Sequence, residues 1–164
     1  MIFKRLFGAK RPDVGALYGA IVAAARQPHF YRDWQVPDTV DGRFDMVVLH
    51  LYLVVARLKG EPEVMRQALI NHFCVDMDDN LRELGAGDLS VAKKVRRMAE
   101  AFQGRCVAYD SAMDVVALAQ ALHRNVFAGG EGQAESLATY VLEARRRLAA
   151  QGVATIIAGT VAFA

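Results

Sequence analysis

The sequence GRFDMVVLHLYLVVARLK, residues 42–59, decides the fold of this chain. Its apolar residues recur at spacings of three and four, and they nearly encircle a helix: Phe44, Val47, Val48, Leu51, Val54, Val55 and Leu58. A helix that is apolar on most sides is buried by neighbours on most sides. We therefore predict a central buried helix over Gly42–Lys59, capped by Thr39 or Asp41 and ended by Gly60.

Glycine and proline divide the rest of the chain into further helices, and no stretch shows the alternation typical of a strand. The pattern predicts a helical turn near residues 30–34 and helices over residues 13–26, 61–84, 89–108, 111–125 and 133–151. Asp13 and Asp88 are the expected N-caps of two of these helices. The uncharged tail, Gly152–Ala164, is expected to dock on the domain. The predicted fold class is all-α, a single compact domain of six or seven helices around a central buried helix.

Composition and length limit the classes of function. The chain has 164 residues, 54% of them hydrophobic, and its net charge of +2 requires neither nucleic acid nor a membrane as partner. The longest uncharged apolar run, Met46–Ala56, is well short of the roughly 20 residues that span a bilayer. Cys74 and Cys106 fall at apolar helical positions, which predicts reduced, buried thiols rather than a disulfide. We expect a cytoplasmic protein with at most peripheral membrane contact.

The first twelve residues form a basic amphipathic N-terminal segment, residues 1–12. It interleaves four apolar side chains with four basic ones: Ile2, Phe3, Leu6 and Phe7 with Lys4, Arg5, Lys10 and Arg11. No apolar run follows, so neither a signal peptide nor a transit peptide is indicated. The segment is either a short amphipathic element that lies on a membrane or a solvated chain end.

The helix predicted at residues 89–108 has one strongly basic side. At 100° per residue, its apolar side chains fall on one face and five basic ones share a solvent-facing surface: Lys93, Lys94, Arg96, Arg97 and Arg105. This surface is either an ordinary solvated face or a docking site for ribosomal RNA, anionic lipid headgroups or an acidic protein. No aromatic residues interleave with the basic ones, so base reading is not indicated and no DNA partner is expected.

Sequence motifs give no support to catalysis or metal binding. The chain has no nucleophile elbow, phosphate loop, dinucleotide turn, HExxH or Cys/His set. His72 and Asp76 are one helical turn apart, but acidic residues in this region are more often a solvated face. His50 lies among apolar residues, which is typical of a core histidine with satisfied ring nitrogens. We expect no enzymatic activity, no cofactor and no metal, with an enzyme kept as the third option.

Three long segments, in this order, resemble the ubiquinol–cytochrome c chaperone family. They are YGAIVAAARQPHFY (Tyr18–Tyr31), VPDTVDGRFDMVVLHLYLVVARLKGE (Val36–Glu61) and DMDDNLRELGAGDLSVAKKVRRMAEAFQGRCVAYD (Asp76–Asp110). Members of that family are assembly factors of the cytochrome bc1 complex in mitochondria and alphaproteobacteria. The resemblance covers Val14–Asn125, and it implies that residues 13–164 form the family's helical domain.

The resemblance implies a non-enzymatic assembly chaperone that binds newly made cytochrome b, at the cytoplasmic side of the inner membrane. Mitochondrial members work with a small partner protein and associate with the ribosome. The implied partners are therefore cytochrome b, the ribosome or an anionic membrane surface, and a small assembly partner protein. An apolar groove would hold a segment of cytochrome b. The alternative is a helical RNA-binding or regulatory module that uses the basic face of the helix at 89–108.

Matching motif positions and the charge plot together give nine candidate partner-binding residues. They are Asp41, Arg43, Asp79, Arg82, Lys93, Lys94, Arg96, Arg97 and Arg105. Asp41 and Arg43 also have a purely structural interpretation, in which they cap the central helix and form a local ion pair.

Overall fold

The computed structural model describes residues 12–164, which form eight helices and no strand. Six helices are long, and two, α2 and α8, have five residues each. Their bounds are α1 Gly15–Ala25, α2 Pro28–Arg32, α3 Val40–Arg57, α4 Glu63–Glu83, α5 Asp88–Ser111, α6 Val115–Asn125, α7 Ala134–Ala150 and α8 Val153–Ile157. The predicted all-α class is confirmed. The N-terminal segment, apart from Pro12, lies outside the described residues.

Helix α3 is the centre of the domain, as predicted. Every residue from Met46 to Val54 is buried, and α3 packs against α1, α5 and α7. The helix begins two residues before the predicted start, because the Thr39 hydroxyl accepts a hydrogen bond from the Gly42 amide at 3.1 Å. Glycine is needed at position 42, since a Cβ there would collide with the carbonyl oxygen of Pro37.

The corner between α4 and α5 differs in one detail from the prediction. Gly85 adopts the left-handed conformation, with φ of +84°, and terminates α4 as expected. Asp88 is not the N-cap of α5, because Gly87 holds that position and makes no side-chain cap. The Asp88 carboxylate pairs instead with Arg82 of α4, so the side chain predicted to cap a helix ties two helices together.

Helix α5 extends three residues beyond its predicted end. The Arg145 guanidinium of α7 donates hydrogen bonds to the carbonyls of Tyr109, at 2.6 Å, and Ala112, at 3.0 Å. These bonds satisfy two carbonyls at the C-terminal end of α5. Helix α6 begins at Val115 rather than near residue 111, because the Asp114 carboxylate caps it through the Ala117 amide at 2.8 Å.

The uncharged tail docks on the domain, which confirms the prediction. Ile156 of α8 and Phe163 are buried, and the Phe163 ring lies 4.9 Å from the His50 ring, measured between centroids. The Gln151 side chain donates to the carbonyl of Thr160 at 2.7 Å and accepts from the Ala162 amide at 3.0 Å. These contacts fix the tail beside α3 and α7.

Candidate partner-binding site

An apolar groove of about 440 Å³ lies between α1, α3, α4 and α5. Among the residues that line it, eight are apolar: Val22, Val40, Phe44, Val47, Met77, Leu81, Leu84 and Met98. Val40 is 71% exposed, and Leu84 is similarly open to solvent. Exposed large apolar side chains around a concavity of this size are typical of a binding surface.

The helical spacing of the chain places these side chains together. Met77 and Leu81 lie one turn apart on α4, and Val40, Phe44 and Val47 lie on one side of α3. The floor of the groove is held by the core, because the Phe44 ring packs against Phe73 with centroids 6.0 Å apart. The groove therefore combines a fixed floor with methionine side chains that adapt to different occupants.

Charged side chains surround the apolar lining. Arg26, Arg43, Asp76 and Glu83 also line the groove. The Arg43 guanidinium pairs with Asp38 at 2.7 Å, and the Tyr18 hydroxyl donates to Asp76 at 2.7 Å. Burial, together with this bond to Asp76, raises the pKa of the Tyr18 hydroxyl above its usual value.

Of the predicted residues on α3 and α4, Arg43 lines this groove, whereas Asp41, Asp79 and Arg82 do not. The local ion pair predicted between Asp41 and Arg43 does not form, because Arg43 reaches Asp38 instead. Asp41 is exposed in the first turn of α3, and Asp79 is exposed on α4. Arg82 bridges Asp78, at 2.6 Å, and Asp88. Arg82 therefore joins α4 to α5.

Four of the predicted basic residues form an exposed surface on α5. This basic face consists of Lys93, Lys94, Arg96 and Arg97. Arg96 pairs with Glu100 at 3.1 Å, whereas the other three have no ion-pair partner within residues 12–164. Lys94 lies one turn before Met98, which lines the apolar groove. The basic face therefore adjoins the groove.

Arg105 does not belong to the exposed surface, and that part of the prediction is wrong. Its side chain is 17% exposed and pairs at 2.6 Å with Asp45, which is 14% exposed. The guanidinium also lies 5.7 Å from the centre of the Phe44 ring. Burial raises the pKa of Asp45 to about 6, although the Arg105 charge acts in the opposite direction. Arg105 points towards α3, so it holds α5 against the central helix.

The remaining polar candidates are structural. His50 is a buried core histidine, as predicted, with Nδ1 2.8 Å from the Met46 carbonyl and Nε2 2.9 Å from the Tyr140 hydroxyl. Cys74 and Cys106 are free thiols, as predicted, but each is partly rather than fully buried. Within residues 12–164, no group of three or more His, Cys, Asp or Glu residues is placed to hold a metal ion. No helix in this range is long and apolar enough to cross a membrane.

The apolar residues of the groove were not predicted, although a groove was expected. Val22, Val40 and Leu84 come from three helices that are distant in sequence. The available signal was an apolar residue at the edge of a helix, as at Val40 just before Asp41. This pattern can identify individual exposed apolar residues. It does not indicate which of those residues lie next to one another in the folded protein.

Comparisons with known proteins agree with the resemblance seen in the sequence. A sequence model of the ubiquinol-cytochrome C chaperone family matches residues 32–163. A crystal structure of the Cbp3 homolog from Brucella abortus is 41% identical with a TM-score of 0.80, covering 90% of this chain and 86% of that chain. Ubiquinol-cytochrome c reductase complex assembly factor 1 of Drosophila melanogaster is 27% identical over 138 residues, which is 76% of this chain and 53% of the relative. This chain thus spans about half the length of that curated relative. The chain belongs to the ubiquinol-cytochrome c chaperone family.

Proposed function

We propose that this chain is a non-enzymatic assembly chaperone of the cytochrome bc1 complex, and that it holds a segment of newly made cytochrome b in the apolar groove. Family membership supports the role in assembly. The observation that carries the choice of site is the groove itself, with exposed Val40 and Leu84 beside a floor fixed by the Phe44–Phe73 contact.

The chemistry of the groove suits a client that must be released. Cytochrome b is a membrane protein, so its newly made segments are apolar and need shielding from water. Full burial of one large apolar side chain contributes about 1.5–3 kcal/mol. Two or three such side chains in a groove of about 440 Å³ give a dissociation constant on the order of micromolar to millimolar. Binding of this strength protects a segment and still allows its transfer.

The basic face of α5 would hold the chaperone near an anionic surface while the groove is occupied. Each exposed Lys or Arg contributes about 1 kcal/mol beside an anionic membrane, and the contribution falls as salt increases. Lys93, Lys94 and Arg97 are the side chains available for this contact within the described residues. We place the protein at the cytoplasmic face of the inner membrane, with ribosomal RNA as the other surface that offers such phosphates.

Deletion of the gene in the native host tests the assignment. A haem-stained gel of membranes should lose the cytochrome b and c1 signals, and a plasmid copy of the gene should restore them. Normal levels of both cytochromes in the deletion strain would contradict the proposal. Purification of a tagged copy separates the rival function, because recovered RNA without cytochrome b would indicate an RNA-binding or regulatory module.

A further inference from the structure

A second cleft, of about 370 Å³, adjoins the apolar groove. Three arginines dominate this arginine cleft, which is lined by Arg26, Arg32, Arg43, Tyr31, Pro28 and Asp38. Among the described residues, Arg26 and Arg43 alone line both cavities. These two arginines therefore form the boundary between an apolar site and a basic one.

Arg43 is held in place but keeps donors for a ligand. Its Nε donates to the Asp38 carboxylate at 2.7 Å, and its guanidinium lies 5.8 Å from the centre of the Tyr31 ring. A guanidinium has N–H donors on all three nitrogens, and the Nη groups of Arg43 have no hydrogen-bond acceptor among residues 12–164. Arg43 can therefore bind a second carboxylate while it remains paired with Asp38.

Arg26 supplies an unpaired charge at the same boundary. It caps the C-terminal end of α1, its side chain is exposed, and it has no ion-pair partner in the part of the chain that the structure describes. The two carboxylates that line the apolar groove come from α4 and form no ion pair with it. Arg32, by contrast, donates two hydrogen bonds to Asp33. Arg26 and Arg43 are thus the arginines available to a ligand.

An occupant that suits both cavities combines an apolar stretch with an adjacent carboxylate. We propose that Arg26 and Arg43 bind an acidic side chain next to the apolar residues of the client segment, so that the apolar groove selects segments flanked by aspartate or glutamate. Both arginines are exposed, so the client chain can continue past them and a side chain supplies the carboxylate. The inference rests on the proposed function in taking the groove as the client site.

The arginines give the groove selectivity and direction. Arginine binds carboxylates through charge-assisted hydrogen bonds of defined geometry, so the acidic end of a client lies at the arginine cleft and its apolar residues lie over Phe44. Ion pairs between exposed groups are individually weak, and two of them change a dissociation constant by about tenfold. Salt screens such pairs, so the selectivity falls as ionic strength rises.

Two fluorescent peptides test this selectivity on the full chain. Both contain the same stretch of leucine and methionine and are blocked at both termini, and the stretch is followed by two glutamates in one peptide and by two glutamines in the other. At low salt we expect the wild type to bind the glutamate peptide about tenfold more tightly than the glutamine peptide. Raising the salt concentration should reduce this preference.

Variants of the arginines locate the origin of the preference. Arg26→Gln should reduce it to about threefold, and adding Arg43→Gln should remove it without weakening the glutamine peptide. The matched control is Arg124→Gln, which should keep the full preference, because Arg124 is exposed on α6 and lines neither cavity. Val40→Arg, inside the apolar groove, should abolish the binding of both peptides.

Several results would overturn the proposal. Equal affinity of the wild type for the two peptides, or a preference that survives Arg26→Gln/Arg43→Gln, would exclude the arginines and leave the groove as an apolar site. Tighter binding of a peptide whose only carboxylate is a free C-terminus would assign them to chain ends. Displacement of the glutamate peptide by anionic phospholipid vesicles from the wild type, but not from the double variant, would assign them to lipid headgroups.

The glutamine peptide measures the proposed client site separately. If Val40→Arg bound this peptide as tightly as the wild type does, the groove would not be the site of the apolar stretch, and both proposals would be contradicted. Loss of binding in Val40→Arg, together with equal affinity for the two peptides, would contradict only the role of the arginines.

Discussion

The substitution Arg105→Gln should destabilise the fold, because Arg105 is the partner of a nearly buried carboxylate. Its Nη2 lies 2.6 Å from Oδ1 of Asp45. Removing one member of a buried ion pair costs about 3–5 kcal/mol, and losing the cation–π contact with Phe44 costs about 0.5–1 kcal/mol. Arg105 Nε and Nη1 are buried without hydrogen-bond partners among residues 12–164, and their removal returns about 1–3 kcal/mol. The expected net loss in the free energy of unfolding is about 3 kcal/mol.

Urea unfolding followed by far-UV circular dichroism measures this loss. The matched control is Arg97→Gln, an exposed arginine on the same helix, which should change the free energy of unfolding by less than about 0.5 kcal/mol. Asp45→Asn should recover part of the loss, with a coupling energy above about 1 kcal/mol in a double-mutant cycle. If Arg105→Gln were as stable as the wild type, or uncoupled from Asp45, the reasoning would be refuted and Arg105 would again be a candidate for partner contact.

Three further predictions concern the fold, its pH dependence and the basic face. Gly42→Ala should lower the free energy of unfolding by about 1–3 kcal/mol, because its Cβ would meet the Pro37 carbonyl. Gly104→Ala should raise stability by up to about 1 kcal/mol, because open space surrounds that position. If urea unfolding gave the same change in free energy for both glycine variants, the close contact between Gly42 and Pro37 would be contradicted. Asp45 has its pKa raised from 3.8 to about 6, so its ionisation favours the unfolded state. Relative to Asp45→Asn, the wild type should therefore lose about 2 kcal/mol of stability between pH 4 and pH 7; an identical pH profile in the two proteins would contradict the shift. Lys93→Glu with Arg97→Glu should leave unfolding unchanged, weaken sedimentation with anionic vesicles and lower bc1 accumulation. Normal bc1 levels in that variant would rule out docking through the basic face.

The central helix could be predicted because its information is local. The apolar side chains of residues 42–59 encircle the helix, and only a position among several neighbours buries them all. The observed helix, Val40–Arg57, differs by two residues at each end. Gly85 likewise marked the end of α4 correctly, because a left-handed residue at a helix end favours glycine.

Features that depend on distant residues were not predicted. The end of α5 is set by Arg145, which supplies hydrogen bonds from another helix. A helix plot gave the angular position of Arg105 but not the neighbour in that direction, so Asp45 was missed. The apolar groove has the same origin, since its walls come from four helices and their arrangement is not encoded in the pattern of any one of them.

Recovery of cytochrome b with the tagged chaperone is the most direct test of the central claim. The comparison uses wild type, Val40→Arg in the groove and Val116→Arg outside it, each cross-linked in cells before purification so that a weak complex is retained. The account predicts that cytochrome b is recovered with the wild type and Val116→Arg and lost with Val40→Arg. Equal recovery with all three proteins, or none with the wild type, would contradict it.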